Sequence, residues 1–136
     1  MNMVCASPVG YQPDPVILAQ AQEDAAETGC TITVEEDIFK AAQGADVLYT
    51  DVWTSMGEEA ERDIRMAALH DYQINDELLA VARPNCIVLH CLPAHRGEEI
   101  TESVLEGPQS VVFDEAENRL HVQKAIMALL MSDEKL

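Results

Sequence analysis

The sequence predicts an α/β domain built on a mostly parallel sheet of about four to five strands, in three layers with helices on both faces. Three observations carry that expectation: short apolar or β-branched runs recur along the chain, helical runs separate them, and Gly, Pro or Asp stand at the junctions. Strands that alternate with helices form β-α-β units, whose crossovers are right-handed and whose parallel strands are buried.

The elements follow in order. Met3-Val4-Cys5-Ala6 reads as a strand that leaves into the turn Ser7-Pro8-Val9-Gly10. Asp14 can cap a helix, Pro15 suits its first turn, and Val16, Ile17, Ala19, Ala21 and Ala25 sustain it until Gly29. Thr31-Ile32-Thr33-Val34 is β-branched and alternating, hence a short strand, and Glu36 to Gln43 is a brief helix closed by Gly44. Asp46 to Thr50 is a buried strand, Glu58 to Leu69 and Asp76 to Val81 are helices, and Cys86-Ile87-Val88-Leu89 is an apolar strand. Glu98 to Leu105 reads as a helix ended by Gly107-Pro108, Ser110-Val111-Val112-Phe113 as the last strand, and Glu115 to Met131 as a long terminal helix. No internal repeat or linker interrupts the pattern, and 136 residues fit one domain over 1–136.

The bulk composition excludes several function classes. With 25 acidic residues against 8 basic ones the formal charge is -17, and no Lys/Arg cluster offers a nucleic-acid surface. No stretch approaches the roughly 20 apolar residues that cross a bilayer, so no membrane partner is expected and the chain reads as cytoplasmic. Cys5, Cys30, Cys86 and Cys91 lack zinc-site spacing and disulfide density, so reduced thiols are expected. The acidic balance suits solubility, a saline cytoplasm or a basic partner surface alike.

Open α/β sheets place ligands where strands run out into loops, and three such loops carry chemistry here. In Asp51-Val52-Trp53-Thr54-Ser55-Met56-Gly57, a carboxylate that attracts ammonium groups stands beside a hydroxyl and backbone N–H groups that attract anions, a pairing that suits a zwitterionic amino acid. The plain alternative is that Asp51 or Ser55 only caps the next helix. His90-Cys91-Leu92-Pro93 sets a thiol and an exposed backbone at the next strand end, and Pro93 allows a cis bond that would turn the Leu92 carbonyl toward the site. With no activating base nearby in sequence, Cys91 suits binding or orientation better than nucleophilic attack, and an inert buried thiol is the alternative. Asn118-Arg119 lies in the first turns of the terminal helix, where a guanidinium can meet a phosphate or simply pair with Glu115. His95-Arg96 and His121 read as surface or supporting residues, and the mixed His, Cys and Asp fall at no metal-ligand spacing on one helix.

Taken together, these three ordered segments resemble the ornithine carbamoyltransferases of the aspartate/ornithine carbamoyltransferase family, in the C-terminal, amino-acid-binding domain. Asp51-Val52-Trp53 with Ser55-Met56-Gly57 is similar to the family's ornithine loop, His90-Cys91-Leu92-Pro93 to its second signature, and Phe113-Asp114-Glu115-Ala116-Glu117-Asn118-Arg119 to its third. The likeness extends through Gly44-Ala45-Asp46-Val47 and Gly107-Pro108-Gln109-Ser110. It implies a Rossmann-like fold and transfer of a carbamoyl group from carbamoyl phosphate to the δ-amine of L-ornithine, giving citrulline for arginine biosynthesis, with no metal and no other cofactor. It further implies that Asp51, Ser55 and Met56 hold the α-amino and α-carboxylate ends of ornithine. Cys91 and Asp51, the catalytic candidates, would border the δ-amine, the Leu92 carbonyl would bind the carbamoyl nitrogen, and Arg119 would contact carbamoyl phosphate. The Ser55-Met56-Gly57 loop favours ornithine over aspartate, putrescine or acetylornithine.

The departures from the family pattern shape the rest of the expectation. The family's Ser-Thr-Arg-Thr-Arg phosphate loop and His-Pro-x-Gln segment belong to an N-terminal domain and have no counterpart in the sequence. The first strand and helix of the C-terminal domain are also missing, with the Asn that helps bind ornithine. That strand should stand centrally, so the Met3 and Tyr49 strands are expected either to close up on each other or to leave edges that pair with another chain, as a homo-oligomer or with a partner that completes the sheet. Alone, the chain is expected to be inactive. The alternatives are a non-catalytic amino-acid-binding or oligomerisation module and a fragment of a longer enzyme.

Overall fold

In the computed structural model, which describes residues 1–54, 57 and 59–131, strands and helices alternate along the chain. The order is β1 (Met3–Ala6), α1 (Pro15–Glu27), β2 (Ile32–Glu35), α2 (Ile38–Ala42) and β3 (Val47–Thr50). A 3-10 turn over Glu59–Glu61 then leads into α3 (Arg62–Leu69). After a second such turn come α4 (Asp76–Val81), β4 (Ile87–His90), α5 (Glu102–Leu105) and α6 (Val112–Met131). The helices start where the sequence supplies caps. Asp14 accepts hydrogen bonds from the N–H groups of Val16 and Ile17, Asp37 from those of Phe39 and Lys40, and Asn75 from that of Leu78. Helices α1 and α2 each stop shortly before a glycine with positive φ, Gly29 at 70° and Gly44 at 68°, a conformation that L side chains resist.

All strand pairing is parallel, but it falls into two sheets: β1 with β2, from Met3 opposite Ile32 to Ala6 opposite Glu35, and β3 with β4, from Val47 opposite Ile87 to Thr50 opposite His90. The Met3 and Tyr49 strands have therefore not closed up, and among the described residues the second edges of β1 and β3 are unpaired. Helix α2 connects the two halves: it packs against β1, β2 and α4, and just after it Gly44 N–H donates to the Val81 carbonyl and Arg83 N–H to that of Ala45.

Three expectations differ: β3, expected to be a buried strand, buries only Leu48 and leaves Val47 and Tyr49 exposed, and two elements change form. Ser110-Val111-Val112-Phe113 forms no strand: a single bridge joins Ser110 to Val88, and α6 already begins at Val112, which is fully buried in its first turn beside Asp114 and Glu115, acids that suit a helix N-terminus. The helix expected from Glu98 begins only at Glu102. The preceding segment is spent on tertiary bonds, with the Gln73 amide donating to the carbonyls of Gly97 and Glu98 and Ile74 bridging Ile100.

The core gathers around the β3–β4 half, where Ile74, Leu78, Val88, Ile100, Val104 and Val112 are buried. By contrast β1 buries none of its four residues. Replacing Ile100, which is wholly buried, with Ala should lower unfolding stability by about 2–5 kcal/mol, read from denaturant melts. The exposed edges should make the chain associate as its concentration rises, and light scattering coupled to size exclusion that finds only the 15.0 kDa monomer throughout would refute this.

Candidate functional site

The site forms where β3 and β4 end side by side. Thr50 lies opposite His90 in the register, so the next residues, Asp51 and Cys91, leave the sheet together. The Cys91 thiol donates to Asp51 Oδ1 at 2.9 Å, and the same oxygen accepts the Val52 N–H at 2.7 Å. Asp51 thus caps its own loop and reaches across to the neighbouring strand. Burial and the Asp51 carboxylate push the Cys91 thiol above its ordinary pKa. It stays protonated at neutral pH, a hydrogen-bond donor rather than a thiolate nucleophile.

Beyond Cys91 the chain turns sharply. Leu92 has φ 52°, in the left-handed region that a branched residue seldom enters, and the Leu92-Pro93 peptide is cis. His90 holds this turn from below. Its Nδ1 accepts the Leu92 N–H at 2.9 Å and its Nε2 meets Glu99 Oε1 at 3.0 Å, with both side chains fully buried. An acceptor at Nδ1 requires the neutral ring with its proton on Nε2, which donates to Glu99. The His90 N–H donates in turn to Glu115 Oε2 of α6 at 3.0 Å.

Helix α6 supplies the far wall. Cys91, Leu92, Pro93, Ala116, Arg119 and Leu120 line an open groove of about 680 Å³, together with Gln123. Since Glu115 is bonded to the His90 backbone, the plain Arg119–Glu115 pairing does not form, and among the described residues Arg119 has no ion-pair partner. On β3 the Tyr49 hydroxyl is pushed up to about 12, by desolvation first and then by Cys91 and Glu115.

The structure therefore brings together four of the six residues expected at the site: Asp51, Cys91, Leu92 and Arg119. Ser55 and Met56 lie outside the described residues. Sequence reasoning missed Glu99 and Tyr49 as site residues and named Glu115 only as a partner for Arg119, whereas it accepts from the His90 backbone. His95 is a supporting residue, its N–H bonded to Glu99 Oε1 at 2.5 Å. Ligand-type atoms of Asp51, His90 and Cys91 lie within 4.8 Å of one another, although no spacing in the sequence announces it. Both ring nitrogens of His90 are engaged in hydrogen bonds, so the cluster is a hydrogen-bonded unit rather than three open ligands.

Asp51→Asn should remove the carboxylate that holds the thiol proton and shift the Cys91 alkylation profile toward lower pH. In the unaltered chain the midpoint should stand above that of an ordinary thiol, and mass spectrometry of the Cys91 peptide reads both.

Comparison with known proteins places this geometry. A family profile described as "Aspartate/ornithine carbamoyltransferase, Asp/Orn binding domain" matches residues 1–130. The chain is 56% identical over 131 residues to an ornithine carbamoyltransferase of Gloeobacter violaceus, which covers 96% of this chain and 42% of that protein. It is 52% identical over 135 residues to one of Thermococcus kodakarensis, covering 99% of this chain and 43% of that protein. Among solved structures, ornithine carbamoyltransferase from Pyrococcus furiosus superposes with a TM-score of 0.91 at 48% identity, over 98% of this chain and 43% of that one. The chain thus spans less than half the length of these relatives. Its strands, its three loops and its match to the profile carry one conclusion: the chain belongs to the aspartate/ornithine carbamoyltransferase family, as an Asp/Orn-binding domain.

Proposed function

We propose that this chain supplies the ornithine-binding half of a carbamoyl transfer from carbamoyl phosphate to the δ-amine of L-ornithine. The observation that carries this reading is the Cys91–Asp51 hydrogen bond at the mouth of the groove shared by Leu92 and Arg119. The Asp51 carboxylate attracts the amine end of a diamino acid, and the protonated Cys91 thiol orients it without competing as a nucleophile. Ser55 and Met56 complete the hold on the α-amino and α-carboxylate groups.

The chemistry needs little else from this half. A neutral δ-nitrogen forms a bond to the carbamoyl carbon, the bond from that carbon to the phosphate oxygen breaks, phosphate leaves with the electron pair, and the nitrogen gives up a proton to the departing phosphate. The protein lowers the barrier by positioning and by stabilising charge in the tetrahedral intermediate. The Leu92 carbonyl accepts from the carbamoyl nitrogen, and Arg119 neutralises phosphate charge. No cofactor enters these steps.

A chain with a formal charge of -17 and 8 basic residues is poorly suited to hold an anionic donor by itself. The reading therefore assigns the main phosphate contacts to a separate half, and the interval between β1 and β3 to the strand that would join the two sheets into one Rossmann-like sheet. The four free thiols fit a cytoplasmic setting. No described helix is long and apolar enough to cross a membrane.

Calorimetry and a citrulline assay test this. The chain alone should bind ornithine at millimolar concentration without turnover, and turnover should appear when the phosphate-binding half of a full-length relative is supplied as a second chain. Substantial turnover by the chain alone would overturn the division of labour, whereas no ornithine binding in either setting would sink the reading. In the reconstituted pair, Arg119→Ala should weaken carbamoyl phosphate roughly ten- to hundredfold, the worth of a charge-assisted hydrogen bond of about 1.5–3 kcal/mol.

A further inference from the structure

The geometry points to Glu99 as the positioning residue of this site, acting through His90 to set the Leu92 backbone and the Cys91 thiol. The inference rests on the proposed function only for what is positioned, and the clamp itself stands on bonds within the chain. Glu99 lines no part of the groove and is wholly buried. Its Oε1 takes two donors, His90 Nε2–H at 3.0 Å and the His95 N–H at 2.5 Å, while Oε2 has no hydrogen-bond partner among the described residues and lies 3.8 Å from His95 Nδ1.

A buried carboxylate with an unsatisfied oxygen is costly, and a core built for stability alone would favour an apolar residue there. What the carboxylate provides is a fixed acceptor for Nε2–H. With the ring proton held on Nε2, Nδ1 must be a lone pair, and that lone pair receives the Leu92 N–H. If the proton moved to Nδ1, two N–H groups would face each other and the turn at Leu92, with φ 52°, would lose its anchor. Leu92 and Cys91 are adjacent, so the same loss would release the thiol from Asp51.

Glu99 is itself rigidly placed. Its carbonyl accepts the Ile74 N–H at 2.9 Å, the Thr101 N–H donates to the Ile74 carbonyl at 3.0 Å, and the Gln73 amide holds Gly97 and Glu98 just before it. The position of the Leu92 carbonyl is thus referred to the core rather than to its own loop.

Two readouts independent of turnover test this: the His90 tautomer, from long-range ¹H–¹⁵N correlation, and the alkylation rate of Cys91 by iodoacetamide, measured on its own peptide. The unaltered chain should show the Nε2–H tautomer. Glu99→Gln, which keeps an acceptor oxygen, should retain that tautomer and a near-unaltered rate. Glu99→Leu should give mixed tautomers and speed alkylation by roughly tenfold or more, as follows from losing a charge-assisted hydrogen bond. An Nδ1–H tautomer in the unaltered chain, or Glu99→Leu with tautomer and rate unchanged, would overturn the inference.

If Glu99→Leu does not fold, two His90 variants decide. His90→Asn keeps an acceptor for the Leu92 N–H and should leave the Cys91 rate near that of the unaltered chain. His90→Gln reaches toward Glu99 without serving Leu92 and should raise it, so equal rates would refute the clamp. Failure to bind ornithine while the tautomer and thiol results hold would remove the proposed substrate and leave the positioning role standing.

Discussion

The buried pair of His90 and Glu99 is the interaction on which the site depends. Neither side chain touches solvent, so their bond is neither screened nor exchanged with water, and its direction is fixed by what else each must satisfy. Glu99 is tied to the segment bonded to Ile74, and His90 is the last residue of β4, tied to α6 through Glu115. Three elements therefore meet on one residue, two through its ring and α6 through its backbone N–H. The strand-end loop becomes a rigid platform, although loops of this kind are ordinarily the most mobile parts of a fold.

The platform explains the division between rigid and open parts of the groove. Asp51, Cys91 and Leu92 are held by hydrogen bonds to one another and to the core, while Arg119 projects from α6 without an ion-pair partner among the described residues. Preorganisation is concentrated at the two strand-end loops, and the unpaired guanidinium belongs to the helix wall of the groove. Among the described residues that line the groove, Arg119 alone carries a permanent charge, in a chain whose formal charge is -17.

Much of the fold and of the site is legible in the amino-acid sequence. Strand β1 matches its expected bounds of Met3–Ala6, the caps at Asp14 and the stops at Gly29 and Gly44 act as their chemistry suggests, and the loops after β3 and β4 converge through Asp51 and Cys91. Local pattern failed where tertiary bonds outweigh propensity. Glu98 and Glu99 look like the start of a helix, yet Gln73 and His90 claim their carbonyl and carboxylate, so the helix waits until Glu102. Val112 and Phe113 look like strand residues, but only Ser110 bridges β4 before the chain coils into α6. No periodicity marks Glu99, because its role is set by a histidine nine residues away across a sharp turn.

The split between the two sheets has a consequence for how the molecule breathes. Met3 and Ser7 direct their N–H groups to β2, so alternation turns those of Val4 and Ala6 to the open side, and Asp46 accepting from Ile87 places Val47 and Tyr49 likewise. Among the described residues these four amides have no ladder to shelter them from solvent exchange, whereas β4 is bonded to β3 on one side and on the other its Val88 N–H donates to Gln109 and its Val88 carbonyl accepts from Val111. Protection against deuterium should thus be graded across the fold, with β4 and its helices as the slow unit and β1 with β2 as a separate, faster one. The platform of Asp51, Cys91 and Leu92 stands on the slow unit, so opening of the first two strands leaves the groove intact.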